Sequence, residues 1–416
     1  MRVFRDRFYG WRVVWVAFVL AAFGLGIGFH GPAVYLHAVH DSRGWSLSLV
    51  SAAVTVHFVA GALVTANLPV LYRRWGLATV TRGGAVILAM GVLFWALAAT
   101  PSQLFCAAVI SGVGWGTMGV AAINAFVAPW FVTGRPAALA LAYNGANVGG
   151  VVFLPLWATA IAMFGFPVSA LVVGVAMVAM VWVLAGRVLS RTPERMGLSP
   201  DGDAASAPAA AGRARDVVPR PGRTLWRNLQ FLTLTAGMAL GLFAQIGLVA
   251  HLFSLLAPAL GTQAAGWAAA LVTAMAIAGR TVIGWLMPVG ADRRLIACAS
   301  YGVQALGCLA FLLASGNAAL LLVGVVLFGV GFGNGTWLPP LIAQAEFTEA
   351  DVTRLVPVMI AVAQATYAFA PAVFGVIRDV GASLTPIAGN DTAPFFLTVA
   401  AFQLAAIALF LAGRGR

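Results

Sequence analysis

The sequence predicts an all-α membrane protein of twelve transmembrane helices, arranged as two six-helix pseudo-repeats with both termini cytoplasmic. Three observations predict it: apolar blocks of spanning length, an internal repeat on either side of a polar linker, and arginines gathered on one set of loops.

Of 416 residues, 62% are apolar and 9% charged, against roughly 25% charged in soluble domains, so water is not the main solvent. The apolar residues fall into blocks of the ~20 residues that cross ~30 Å of hydrocarbon. Breaks between the blocks place helices at 12–38, 46–70, 78–99, 103–131, 137–162, 166–187, 228–257, 265–288, 295–314, 318–344, 355–378 and 393–413. The first block is too long for a signal-peptide core and ends in no small-residue cleavage site, so the first helix is expected to be retained.

Most connections are short. The exception, Arg187 to Arg227, is rich in Pro, Ala and Gly and holds eight arginines (187, 191, 195, 213, 215, 220, 223 and 227), a linker composition. It divides the chain into an expected six-helix bundle at 1–187, a cytoplasmic linker at 188–227 and a second six-helix bundle at 228–416.

The halves resemble each other. Gly112-Val113-Gly114-Trp115-Gly116 returns 217 residues later as Gly329-Val330-Gly331-Phe332-Gly333. At an offset of 218, Val54-Thr55 and Ala60-Gly61 match Val272-Thr273 and Ala278-Gly279, and Gly31 matches Gly247 at 216. Matches at nearly one offset across a linker imply two similar bundles related by an axis along the membrane normal, the arrangement of the major facilitator fold, with a site between halves near the midplane.

The net charge of +12 comes entirely from arginine, since the chain has no lysine. The arginines are scattered over short loops, which excludes a nucleic-acid footprint and reads as topology. Arg2, Arg5, Arg7, Arg12, Arg73, Arg74, Arg82, Arg135, the linker arginines, Arg293, Arg294, Arg354, Arg414 and Arg416 fall on one side, and Arg43 and Arg378 on the other. The first side is therefore expected to be cytoplasmic. Cys106, Cys298 and Cys308 have no metal-like or disulfide-like spacing and read as small apolar residues.

Arg280 fits neither side. It stands about 15 residues into the expected eighth helix, near the midplane, where a guanidinium is costly unless it faces water, a partner or a ligand. All twelve acids fall in loops or at helix ends, so no buried carboxylate is in view. One reading satisfies the guanidinium with backbone carbonyls and water. The other makes it a fixed positive charge that grips a carboxylate through two parallel N–H bonds. The matching position in the first half is Ala62, so the fold itself does not require the charge.

The residues around it carry a resemblance. Phe8-Tyr9-Gly10-Trp11, Trp130-Phe131 with Arg135 and Ala137, Pro193-Glu194 with Gly197-Leu198, Pro200-Asp201-Gly202, and Ala278-Gly279-Arg280 followed by Gly284 together resemble the monocarboxylate transporter family, in the style of bacterial members similar to the oxalate/formate antiporter. The resemblance implies a multi-pass protein of the bacterial cell inner membrane that carries a small organic anion, with Arg280 on the substrate carboxylate. Three departures narrow it. Ala33 and Ala276 stand where proton-coupled members carry a lysine and an acid, and no second cationic site like that of the oxalate exchanger is present in the eleventh helix, so one anionic group is expected.

With no acid in the membrane, His30, His57 and His251 are the candidates for carrying a coupled proton, each equally readable as a satisfied polar residue. Tyr35, His251, Asn124, Gln245, Asn334 and Tyr367 join Arg280 as candidate substrate-binding residues, since each is a hydrogen-bonding group inside an apolar block. No phosphate loop, zinc-protease or nucleophile-elbow motif occurs, so no enzyme activity, cofactor or metal is expected. The expected partners are the lipid bilayer, a monocarboxylate anion and a proton, in symport, antiport or facilitated transport. Drug efflux, metal-ion uptake and a transporter-like sensor remain the rival readings.

Overall fold

The computed structural model describes residues 8–132, 134–202, 226–287, 291–384 and 392–414. Most of the expected linker, with Arg213, Arg215, Arg220 and Arg223, lies outside the described residues, as do Arg2, Arg5, Arg7 and Arg416. In chain order, α1 (Tyr9–Leu25) runs through a π-helical stretch, Gly26–His30, into α2 (Gly31–Arg43). Then come α3 (Leu47–Trp75), α4 (Leu77–Leu97), α5 (Pro101–Gly116), α6 (Val120–Val127) and α7 (Arg135–Leu184). Later in the chain lie α8 (Leu229–Leu260), α9 (Thr262–Leu286), α10 (Arg293–Leu313) and α11 (Ala318–Phe332). The last are α12 (Leu338–Glu346), α13 (Glu349–Tyr367), α14 (Ala370–Leu384) and α15 (Ala393–Ala412). All regular structure among the described residues is helical, as lipid demands of segments that must satisfy their own backbone groups.

Among the described residues, ten helices, counted across their junctions, are long and apolar enough to cross a bilayer. The longest, Ala137–Leu189, has 53 residues; drawn straight it would reach roughly 80 Å, far beyond the ~30 Å of a hydrocarbon core. It breaks at Gly165, whose φ of 75° and ψ of 162° are non-helical, in a region that a Cβ would disfavour. Ala318–Phe332 is a shorter apolar helix of 15 residues. Helix starts carry their own caps: Thr100 and Gln103 form a reciprocal capping box on α5, and Asp292 accepts from the Arg294 and Leu295 amides at 3.0 and 3.2 Å to open α10.

The structure falls into two compact units, Met1–Pro32 with Val56–Phe153 and Met163–Asp216, and Ala33–Thr55 with Leu154–Ala162 and Val217–Arg416. In the first, three of the resemblance motifs meet. Phe8 sets its ring edge-on to Trp130 and Phe131 at 6.2 and 5.5 Å, and Tyr9 packs on Trp130 at 5.1 Å. Asp201 accepts from the Val132 and Gly134 amides, both at 3.1 Å, and so holds the turn that leads into α7. The motifs at Phe8-Tyr9, Trp130-Phe131 and Asp201 are thus one contact cluster, whereas Ala278-Gly279-Arg280 belongs to the second unit.

In the second unit, the first turns of α3 run antiparallel to α14. Ser48 donates its amide to Asp379 Oδ2 at 2.8 Å, and the Ala372 amide donates to Thr55 Oγ1 at 3.1 Å. Between them Ser51 faces Gly375, where a Cβ would lie 2.6 Å from the serine Cβ. Both amides belong to helix starts, whose donors have no partner within their own helix, so each is satisfied across the pair. Arg378, expected on the outer side as the last residue of the 355–378 helix, stands inside α14 instead, because the helix continues six residues past it to Leu384.

Candidate functional site

Arg280 lies in α9, six residues before its end at Leu286 and so roughly 9 Å from it. The helix starts three residues earlier than the sequence pattern suggested, and its centre falls near Ala274. The arginine is therefore well to one side of the middle. Its side chain is half-buried, and Nε donates to the carbonyl of Gly333 at 3.0 Å. Gly333 closes α11, where carbonyls lack helical partners and a cation is favoured. No carboxylate among the described residues lies within salt-bridge reach of Arg280, and the terminal Nη1 and Nη2 make no hydrogen bond there.

The stretch that follows, Gly333 to Trp337, is unwound before α12 begins. Asn334 spends its amide within it: Nδ2 donates to the Val330 carbonyl at 3.2 Å and Oδ1 accepts from Trp337 Nε1 at 3.0 Å. Gln245 of α8 approaches from the side, so that a Cβ on Gly335 would lie 2.5 Å from its Oε1. Gln245 Nε2 donates to Gln304 Oε1 of α10 at 2.9 Å, while its own Oε1 is buried with no hydrogen-bond partner among the described residues. Arg280, Asn334 and Gln245 thus gather around one helix break, and Gln304, which the sequence pattern did not single out, completes the set. The break follows Gly329–Gly333 directly. Its repeat mate behaves likewise: α5 ends at Gly116 and α6 starts only at Val120. The repeated glycine motif marks, in each unit, where a membrane helix opens.

The remaining candidates have surroundings of their own. His251 of α8 donates Nε2–H to the Pro371 carbonyl at 3.0 Å, with Ser51 Oγ 3.4 Å away. Its Nδ1 faces Arg378 Nη1 at 3.4 Å, and Arg378 also donates to Ser254 Oγ at 2.5 Å. Tyr35 packs edge-on to Trp157 at 5.0 Å. Tyr367 ends α13 against the core of α8, α10 and α15. Asn124 is exposed on α6. His30 is buried in the π-helical stretch, with its Nδ1 unpartnered among the described residues.

His57, in the first unit, is fully buried and ties three helices together. Nε2 lies 2.7 Å from the Gly28 carbonyl, and Nδ1 lies 2.8 Å from Ser111 Oγ. A carbonyl only accepts, so Nε2 carries the proton and the neutral ring accepts at Nδ1. Ser111 also accepts from Trp95 Nε1 at 3.0 Å and has the Ala108 carbonyl 3.1 Å away. The imidazole stacks on Trp115 at 5.5 Å. Trp115 fits because Gly28 and Gly61 leave it room, a Cβ at either lying under 2.5 Å from its ring. Gly28 belongs to the π-helical stretch, a geometry frequent at functional sites.

Comparison with known proteins agrees with this architecture. The sequence matches the Major Facilitator Superfamily over residues 14–386. No curated protein matches significantly. Among solved structures, a bacterial homolog of the human lysosomal transporter Spinster is similar at 14% identity over 96% of each chain, with a TM-score of 0.70. The nucleoside transporter NupG is similar at 12% identity over 97% of this chain and 98% of its own, with a TM-score of 0.71. A D-xylose-proton symporter is similar at 15% identity over 96% and 97%, with a TM-score of 0.67. At such identities the likeness is one of fold, and the family match spans most of the chain. A multi-pass helical membrane protein with repeated, interrupted helices, this chain belongs to the major facilitator superfamily of transporters.

Proposed function

We propose that the chain is a secondary transporter of a small monoanionic organic acid, with Arg280 binding the carboxylate. One observation carries the reading: Nε of Arg280 is anchored on Gly333, which leaves the Nη1 and Nη2 edge of a half-buried cation facing no acid among the described residues. A planar guanidinium fixed at one nitrogen offers its other two in the geometry that a carboxylate accepts. The neighbouring helix break supports it, because interrupted helices in corresponding positions of two repeats point to transporter binding sites. Gln245 Oε1 is the natural acceptor for a hydroxyl on the same solute.

The reading includes twelve spans, counting the long α7 segment as two at Gly165 and adding α11, with termini and linker cytoplasmic by arginine asymmetry and the bacterial inner membrane as location. For coupling we favour His57 over His30 and His251. A second proton on His57 would sit at Nδ1 and donate to Ser111 Oγ, whose own hydroxyl would turn to the Ala108 carbonyl, so one rotation gives the imidazolium an acceptor at each nitrogen. On His251 the second proton would meet Arg378. Replacement of Ser111 by Ala is expected to abolish stimulation of uptake by a pH gradient while solute exchange persists. Unchanged stimulation would remove His57 from the mechanism.

Uptake into liposomes tests the cargo. Labelled lactate, pyruvate, formate and oxalate are compared with xylose and uridine, the cargo classes that the solved neighbours' names suggest, and with a cationic drug. Saturable uptake of a monocarboxylate is expected; uptake of xylose or uridine alone would move the cargo to a neutral solute.

A further inference from the structure

We propose that the groove between α4 and the last turns of α7 is a binding site for an anionic phospholipid, with one acyl chain in the groove and the phosphate on Arg82. The cavity measures about 540 Å³ and is walled by apolar side chains, among them Met90, Leu93, Leu171, Val175 and Trp182. Small residues form its floor. At Gly174 a Cβ would stand 3.1 Å from that of Ala89, so the two backbones run close and the larger side chains rise on either side.

Depth and charge identify the occupant. On α7 the lining runs from Ala170 to Val183, roughly 20 Å of helix. One leaflet of a hydrocarbon core of about 30 Å is half that core, so the groove is about as deep as one leaflet and shorter than the bilayer. One helical turn beyond Val86, the last lining residue on that side, stands Arg82. Its Nε and Nη2 donate to the Trp182 carbonyl at 3.0 and 2.8 Å, and its guanidinium carbon lies 4.9 Å from the centre of the Trp182 ring. Gly186 makes the seat, since a Cβ there would fall 1.6 Å from Nη2. The arginine is thus fixed at the mouth with Nη1 uncommitted, and no carboxylate among the described residues neutralises it. A basic residue at the headgroup end of an apolar slot selects an anionic lipid headgroup.

Native mass spectrometry of the full chain, released from nanodiscs of equal phosphatidylglycerol and phosphatidylcholine, tests this. Wild type is expected to retain phosphatidylglycerol about fivefold over phosphatidylcholine, the weight of one basic residue at ~1 kcal/mol. Arg82→Gln is expected to lose the preference while still retaining lipid. Ala179→Phe, which fills the groove from an exposed position, is expected to lose retention of both. Equal retention of the two lipids by wild type, or a preference untouched by Arg82→Gln, would overturn the proposal. Retention unchanged in Ala179→Phe would place the lipid elsewhere and overturn it as well.

Discussion

Replacement of Glu346 by Ala is expected to cost about 3–5 kcal/mol of stability, the loss that follows when a buried ion pair keeps only one partner. Arg294, at the start of α10, is 1% exposed, and its Nε and Nη2 reach Glu346 at 2.6 and 2.8 Å. Its other donors go to Thr233 Oγ1, the Phe410 carbonyl and the Gln230 carbonyl at 3.2, 3.3 and 2.9 Å. One guanidinium therefore binds α8, α12 and α15 at one end of the second unit. Removal of the carboxylate leaves it charged and uncompensated. In detergent the thermal midpoint is expected to fall by on the order of 5–10 °C. The double variant Arg294→Met with Glu346→Leu is expected to recover most of that, since an apolar pair of similar size removes the stranded charge. A single variant as stable as wild type would show that the pair contributes nothing net.

That pair also shows where sequence reading stops. Arg294 was legible only as a topology arginine beside Arg293, because Glu346 lies 52 residues away and no local spacing connects them. The spanning segments were legible because length and hydropathy alone decide them, and the Gly165 break fell in the expected gap between the fifth and sixth helices. The openings after Gly116 and Gly333 were not, since each is only a few residues long inside a block that is apolar overall and a hydropathy pattern has no term for an unwound turn. Of the candidate site, Arg280 was visible as an energetic anomaly, but its Nε bond to Gly333 needed coordinates. Gln304 carried the same signal as its partner Gln245, a hydrogen-bonding group inside an apolar block, but was not singled out, and a single serine such as Ser111 in an apolar helix looks the same whether it binds a histidine or its own backbone. Arg378 was misplaced for a related reason. A charge at the end of an apolar run reads as a loop, yet here it donates to Ser254 within the helical bundle.

The largest functional effect is expected at Arg280. Its truncation to Ala removes the fork and leaves the Gly333 carbonyl without that donor, a modest structural loss of about 1–2 kcal/mol. The loss to an anionic solute is greater, on the order of 2–5 kcal/mol for a charge-assisted bidentate pair in a partly desolvated site. Arg280→Lys keeps the charge without the fork and is expected to bind weakly and to distinguish poorly between acids of similar size. The deciding measurement is calorimetric titration of purified wild type and Arg280→Ala with the monocarboxylate that wild type takes up best, at matched thermal midpoints. Affinity is expected to be lower by roughly 30-fold to several thousand-fold in a protein that still folds; unchanged affinity in folded Arg280→Ala would contradict carboxylate binding there and leave Arg280 as a cap on α11.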